Sequence, residues 1–171
     1  MVAALLTTSL VQAAPPSGIR QALLIGNAKY DGYELPGAAK SLDEVERALQ
    51  GNGYTIARHE NLKEEELKET IEEFAGGVPT GGVAVVYYVG LAAHVKRFDK
   101  WYNLLRPVGT EIKNDNEYRD VGLNVAEDLL VPLQELSGSN RNLIVLDACW
   151  DSPIRPENEN VHGGLMELET S

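Results

Sequence analysis

The chain has almost no cysteine and no excess of basic residues. Cys149 is the single cysteine among 171 residues, so an internal disulfide cannot form and a disulfide-stapled mini-protein is excluded. Lys and Arg total 15 against 26 Asp and Glu, which gives a net charge of -11 at pH 7, and the basic residues form no run. Because a field of this sign repels phosphate backbones and anionic lipid, we expect no nucleic-acid partner.

Long apolar segments and fixed-period repeats are missing as well. The apolar stretch at residues 2–6 is too short to span a bilayer, and Thr and Ser interrupt the sequence after it, so no stable membrane span is expected. Without a repeat the chain is not a solenoid. With 43% hydrophobic and 24% charged residues, the composition predicts one ordinary globular domain.

The N-terminal segment bears on localisation. Residues 1–14 carry no charged side chain and end in Val-Gln-Ala-Ala, a small-x-small pattern that Pro15 and Pro16 follow. This pattern predicts a signal peptide, although the basic residue that usually precedes the apolar stretch is missing. We expect an exported protein, periplasmic or extracellular, if the segment is cleaved, and a cytoplasmic one otherwise. The domain itself is expected at residues 20–154, with 155–171 as a C-terminal extension or truncated edge.

Four segments have the composition of strands. Short runs rich in Val, Ile, Leu and Tyr occupy residues 20–26, 53–60, 83–90 and 142–147. The first, third and fourth are nearly continuous apolar runs, which predicts strands that are covered on both faces.

Amphipathic segments between these strands predict helices. Residues 41–49 begin with a capping box of Ser41 and Glu44, and residues 61–74 begin with a similar pattern at Asn61. The alternation of strands and helices predicts an α/β fold of three layers with a mainly parallel sheet.

The stretch before the fourth strand is less regular. Residues 124–136 have leucines at helical spacing, but Pro132 should kink or restart that helix. The polar stretches 96–100 and 111–120 are expected to be loops.

The carboxyl ends of the strands are where functional groups gather in an open parallel sheet. Gly26 and Asn27 follow the first strand, Gly90 ends the third, and Cys149 follows the fourth. A lone cysteine at such a place is either a catalytic nucleophile or a small buried apolar residue, and position alone leaves both open.

Six segments in order resemble one family. They read LLIGNAKY, LPGAAKSLDEVERAL, GYTIARHENLKEEELKETIEEF, VAVVYYVG, NLLRPVGT and NLIVLDACWDSPI. This succession is similar to the large-subunit region of bacterial caspase-like and metacaspase-like cysteine peptidases. The resemblance implies a caspase-type α/β fold, strand order 2-1-3-4, and proteins or peptides as partners. It also implies that Cys149 is at the nucleophile position and that Asp147 is one acid of a pocket for Arg or Lys.

The chain departs from the family pattern at several functional positions. The family usually has Tyr-Tyr-x-Gly-His-Gly after the third strand, whereas this chain has Leu91 at the histidine position and Ala92 at the glycine beside the oxyanion-stabilising backbone. Ser41 stands where the second pocket acid is expected. The segment that normally completes the sheet does not appear before Ser171.

Another histidine could in principle replace the lost base. His94 follows Leu91 by three residues and could act on Cys149 if its loop turned back, whereas a solvated loop residue is the simpler interpretation. His59 and His162 have less positional support.

No cofactor or metal is expected. Gly26-Asn27 lacks the glycine spacing of a dinucleotide fingerprint and the Lys-Ser/Thr of a nucleoside-triphosphate loop, so it is better interpreted as a turn. The acidic residues of 111–120 do not follow a calcium-loop spacing.

Two hypotheses of function follow. In the first, the chain is a degenerate caspase-like domain that binds peptides or protein partners. In the second, it is a cysteine endopeptidase that cleaves after Arg or Lys, with Cys149 as nucleophile and His94 as displaced base. In either case the outer edge of the fourth strand is expected to be open or covered only by the chain after Pro153, and an open edge would favour self-association.

Overall fold

The structure is a computed structural model that describes residues 18–97, 99–109, 115–139, 141–149, 161–163 and 165–166. The expected signal peptide at residues 1–14 lies outside these ranges, as do most residues after Cys149. The strands are β1 (Arg20–Gly26), β2 (Lys29–Tyr30), β3 (Tyr33–Glu34), β4 (Thr55–Glu60), β5 (Val83–Arg97), β6 (Lys100–Leu105), β7 (Leu123–Asn124), β8 (Asn142–Cys149) and β9 (Val161–Gly163). The helices are α1 (Ala38–Gly51), α2 (Glu64–Gly77), α3 (Asp115–Val121), a π-helix (Val125–Leu130) and α4 (Val131–Glu135).

The main sheet has a parallel half and an antiparallel half. In the parallel half the spatial order is β4-β1-β5-β8, which confirms the order 2-1-3-4 predicted for the four strands. The long strand β5 runs on past this half, and there β6 and β9 pair with it in the antiparallel direction. The strand β5 is therefore the centre of the domain.

Helices cover both faces of the parallel half. Helix α1 packs against one face through Leu42, which lies among Leu24, Tyr87 and Val89. Helix α2 and the π-helix pack against the other face, where Leu67 and Leu129 meet the alternate residues of β1 and β5. This arrangement is the three-layer α/β fold that the sequence predicted.

Two helix starts differ from the sequence-based predictions. Helix α1 begins at Ala38 after Gly37, whose positive φ of 91° suits glycine, so the predicted cap at Ser41 is wrong. Helix α2 begins after Lys63, and the Glu66 carboxylate accepts the Lys63 backbone N–H at 2.9 Å, so the predicted start at Asn61 is also wrong.

The irregular stretch contains more structure than predicted. Arg97 belongs to β5, Lys100 belongs to β6, and the segment Asp115–Val121 is a helix. The prediction of loops at these places was therefore wrong. The helix predicted over residues 124–136 is present but divided, since a π-helix ends at Leu130 and α4 has Pro132 in its first turn. The restart at the proline is confirmed.

Among the described residues, those that cover strand β8 lie on one face of the sheet. Ile144 and Leu146 pack against the α2 side of the sheet, but Leu143 is 56% exposed and Val145 is 41% exposed on the α1 side. The prediction that this strand is covered on both faces is therefore wrong, because α1 contacts β1, β4 and β5 and leaves β8 open. None of the described helices is both long and apolar enough to cross a membrane.

Candidate active site

The two positions at which the family carries its catalytic residues lie on neighbouring strands. In the parallel pairing of β5 with β8, Leu91 is the register partner of Cys149. Adjacent strands lie about 4.8 Å apart, so the backbones at these two positions are neighbours. The side chain of Cys149 lies outside the described part of the structure. The fold thus retains the juxtaposition on which a nucleophile and base would depend.

Leu91 itself is part of the hydrophobic core. It is 1% exposed and packs with Tyr30 and Val108, and we call these three residues the Leu91 cluster. Its N–H donates to the Tyr30 hydroxyl at 2.8 Å, and its carbonyl accepts the Arg106 backbone N–H at 2.9 Å. Both polar groups of the backbone are thus engaged, and β5 continues as a strand through the point where the family carries its histidine.

Gly90 is held close to two tyrosine hydroxyls. A Cβ at this position would lie 2.4 Å from the Tyr88 hydroxyl oxygen and 2.9 Å from that of Tyr30. The Tyr88 hydroxyl lies 3.1 Å from the carbonyl oxygens of both Leu91 and Arg106, and burial raises the pKa of Tyr88 well above its ordinary value. These contacts fix the backbone beside Leu91, and only glycine fits among them.

Ala92, like Leu91, is part of the hydrophobic core. It is 1% exposed, pairs with Leu105 of β6 and packs against the α2 side of the sheet. The family resemblance placed Ala92 and Cys149 at the oxyanion-stabilising backbone. In this chain, Ala92 belongs to a strand, and its methyl group fills space inside the domain.

His94 lies on β5, three residues beyond Leu91. Side chains alternate between the faces of a strand and residues rise about 3.3 Å each, so His94 is on the opposite face from Leu91 and about 10 Å along. Its ring packs edge-on against Trp101 with the ring centroids 5.2 Å apart. The geometry therefore does not support His94 as a base for Cys149.

The other histidines are also distant from the Leu91–Cys149 pair. His59 lies on β4, which is separated from β5 by β1, and it is exposed. The backbone of His162 in β9 pairs with His94 rather than with Leu91. Neither His59 nor His94 therefore lies beside Leu91 in the described part of the structure.

Asp147, unlike Leu91, is polar and exposed to solvent. Its carboxylate accepts a hydrogen bond from the Tyr87 hydroxyl at 2.9 Å. Ser41 of α1 lies close enough to this hydroxyl to act on it, and its effect lowers the pKa of Tyr87. The structure therefore brings together the two positions that the resemblance assigned to pocket acids, and we call Asp147, Tyr87 and Ser41 the Asp147 site.

The charge at this site is negative. Burial of Tyr87, its hydrogen bond to Asp147 and the charge of Asp147 raise the pKa of Tyr87 to about 12, and Glu44 contributes in the same direction. Glu44 follows Ser41 by three residues on α1, so it lies on the same side of the helix. A second acid therefore acts on the site one turn beyond the position where the family has it.

Asn27 is a structural residue that the sequence-based analysis treated only as part of a turn. It is fully buried, and its side-chain amide donates to the carbonyls of Leu62 and Arg106, both at 3.2 Å. Its Oδ1 accepts the Leu62 N–H at 2.9 Å. Asn27 thereby ties the end of β1 to the start of α2 and to the segment after β6. The signal for this role was a polar residue directly after a buried strand.

A metal site is not formed by the described side chains. Among them there is no group of three or more His, Cys, Asp or Glu that could hold an ion. What the arrangement offers chemically is the exposed carboxylate of the Asp147 site.

The fold and the site together define a class of protein. A parallel sheet of order 2-1-3-4 that places Cys149 in register with the third strand, with an acid two residues before it, is the framework of a caspase-like cysteine peptidase. The family model described as the caspase domain matches residues 19–168 of the chain. The chain therefore belongs to the caspase-domain family, as the sequence motifs indicated. No curated protein matches the chain at a significant level.

Proposed function

We propose that this caspase-family domain is catalytically degenerate and binds peptides or protein segments that present a basic side chain. The observation that supports this most is the contrast within one strand pair. Leu91 is buried in a continuous strand, whereas Asp147 on the adjacent strand remains exposed and is held by Tyr87.

The loss of catalysis follows from the chemistry of a thiol. An unperturbed cysteine has a pKa of about 8.5, so only a few per cent is thiolate at neutral pH. A neighbouring imidazole lowers this pKa and protonates the leaving amine, and leucine does neither. Loss of one member of such a catalytic group typically costs several powers of ten in rate.

The binding role follows from the acids that remain. Asp147 is exposed, hydrogen-bonded on one oxygen, and close enough to Glu44 for both to act on Tyr87. A guanidinium or ammonium group placed at the Asp147 site would gain a charge-assisted hydrogen bond from the carboxylate. The net charge of -11 attracts a basic peptide toward the whole domain.

Peptide binding can be tested without any assumption about cleavage. Fluorescence anisotropy would compare a labelled peptide that ends in Arg with the same peptide ending in Gln. We expect the Arg peptide to bind more tightly and Asp147→Asn to weaken it about tenfold, as expected for loss of a hydrogen bond to a charged group. Glu72→Gln is the matched control, because it removes one exposed acid from α2 on the other face of the sheet. Equal binding of both peptides, or equal effects of both variants, would contradict the proposal.

Catalytic degeneracy can be tested by restoring the family residues. We expect Leu91→His to raise hydrolysis of an Arg peptide reporter above the wild-type level, and Ala92→Gly in the same chain to raise it further. Cys149→Ala in that background should abolish the gain. If thermal unfolding shows that the restored chain is folded and it still gains no activity, the loss lies elsewhere than at Leu91.

A further inference from the structure

A cavity of about 440 Å³ lies at the amino ends of the parallel strands, beside the last turn of α1. Its lining includes Arg20 and Val83, the first residues of β1 and β5, and Arg141, which directly precedes β8. Asp147 lies six residues further along the chain, so it is about 20 Å from Arg141 at the rise of an extended strand. The cavity is therefore separate from the Asp147 site and lies at the opposite end of the sheet.

The charge of this cavity is opposite to the charge of the chain. Acids outnumber Lys and Arg by 26 to 15 in the sequence, yet the described residues that line the cavity include two arginines and no acid. Arg58, for comparison, forms ion pairs with acids of α1 and β4. Neither Arg20 nor Arg141 forms an ion pair with an acid in the described part of the chain. Their positive charge is therefore available to an anion from solution.

Arg20 is held in place at one wall of the cavity. Its Nη1 donates a hydrogen bond to the Asn52 carbonyl oxygen at 2.8 Å, and its guanidinium carbon lies 5.9 Å from the centroid of the Tyr54 ring. A guanidinium has five N–H donors, so this hydrogen bond leaves four. Because these contacts already restrict the side chain, it loses little conformational entropy when the remaining donors bind a ligand.

Arg141 provides the second guanidinium from a fixed backbone. Its N–H donates to the Ser139 hydroxyl oxygen at 3.0 Å, and its carbonyl accepts the Ala84 N–H at 3.1 Å. The residue itself is exposed, so its side chain is accessible from solvent. The two arginines thus approach one cavity from different elements of the fold.

The rest of the lining is mostly apolar. Ala48 and Leu49 belong to α1, Val83 belongs to β5, and Tyr54 contributes its ring. Inorganic phosphate or acetate would leave this apolar surface uncovered, whereas an apolar group attached to the anion would remove it from water, which is favourable. The volume also falls within the range of pockets that hold small organic ligands. Charge and lining together favour an anion with an apolar body.

We propose that this cavity binds a small organic monocarboxylate, with the carboxylate between Arg20 and Arg141 and the apolar part against Leu49, Val83 and Tyr54. Guanidinium groups bind carboxylates through short, charge-assisted hydrogen bonds. The site lies apart from the Asp147 site, so it does not depend on the proposed binding of basic peptides.

Titrations of the whole chain followed by NMR test the chemistry of the ligand. Phenylacetate is the probe, phenylacetamide is its uncharged counterpart, and acetate and inorganic phosphate lack the apolar body. We expect saturable binding of phenylacetate with a dissociation constant of about 1 mM or lower, and at least tenfold weaker binding of the other three compounds. Absence of saturable binding, or equal binding of phenylacetamide or phosphate, would overturn the proposal.

Substitutions test where phenylacetate binds. Arg141→Gln should raise the dissociation constant about tenfold, because it removes a charge-assisted hydrogen bond. Lys29→Gln is the matched control, since it removes one exposed positive charge from β2, beyond the carboxyl end of β1. Asp147→Asn should leave the binding of phenylacetate unchanged, so the outcome is distinct from that of the peptide experiment. If thermal unfolding shows that Arg141→Gln and Lys29→Gln are folded and both bind equally well, the cavity is not the site.

Two further variants separate the shape of the cavity from its charge. Ala48→Phe places a larger side chain at an exposed position of the lining and keeps the charge, so it should weaken phenylacetate binding by filling the space. Arg20→Lys keeps the charge and replaces the fork of donors with one ammonium group, so it should raise the dissociation constant severalfold. Folded chains in which neither change affects binding would contradict the placement of the ligand between Arg20 and the apolar lining.

Discussion

The Leu91 cluster and the Asp147 site lie on adjacent strands, yet their side chains meet different surroundings. Leu91 is 1% exposed, packs with two apolar partners and has both backbone groups engaged. Asp147 is exposed and keeps a single described side-chain partner, the hydroxyl of Tyr87. One position of the family framework has become part of the core, and the other has kept its polar contact with solvent.

The proposed function explains this difference as a peptidase framework that loses catalysis and keeps recognition. A base must be placed at one point with a free imidazole, and a single apolar replacement removes it. A binding acid acts over a longer range, so Glu44 can contribute from one helical turn away. Under the proposed function, we expect binding to survive substitutions that end catalysis.

The largest expected effect separates the two regions by their stability. Leu91→Ala should lower the free energy of unfolding by about 3 kcal/mol, because it leaves a cavity in a fully buried site. Asp147→Ala should cost less than about 1 kcal/mol, since it removes one hydrogen bond at the surface. Urea unfolding followed by circular dichroism measures both, and similar losses would contradict the contrast.

A second prediction concerns the tyrosine hydroxyls beside Leu91. Gly90→Ala should lower the free energy of unfolding by about 2 kcal/mol, because the new methyl group would overlap the Tyr88 hydroxyl. In a Tyr88→Phe background the same change should cost less, since the closest atom is gone. A double-mutant cycle gives the coupling, and strictly additive losses would show that the contact does not constrain position 90.

The smallest expected effect concerns the Asp147 site in alkaline solution. Tyr87 has its pKa raised to about 12 in the fold, so the neutral phenol is favoured there. Its contribution to stability is complete below about pH 10, the pKa of an unfolded tyrosine, and is lost as the pH rises through the folded pKa.

Spectrophotometric titration of the wild type against Tyr87→Phe isolates this group. Asp147→Asn should lower the pKa of Tyr87, because the acceptor loses its charge, whereas Glu72→Gln should leave it in place. A Tyr87 that titrates at the same pH in the Asp147→Asn chain would show that the carboxylate does not act on the phenol.

The order of the parallel strands was predictable from the family resemblance, and the burial of the apolar runs of β1 and β5 agrees with their central positions. The open face of β8 was not. An apolar run such as residues 143–146 indicates a strand, but only the position of α1 decides which faces are covered. The extent of β5 was missed for a similar reason, since Lys96 and Arg97 look like loop residues until β6 pairs with them.

For the site, the motifs predicted the roles of single positions and not their surroundings. The resemblance assigned Leu91 to the histidine position of the family, but its burial with Tyr30 and Val108 depends on residues distant in the chain. The meeting of Ser41 with Asp147 at Tyr87 depends on packing of α1 against the sheet, which the local pattern does not encode.

Hydrolysis of an Arg or Lys peptide reporter by the wild-type chain tests the central claim most directly, beside Cys149→Ala and His94→Ala. Because Leu91 supplies no imidazole at the position in register with Cys149, we predict negligible turnover by all three chains. Robust turnover by the wild type that is lost in both variants would show that His94 acts as the base, and it would contradict the account of a degenerate domain.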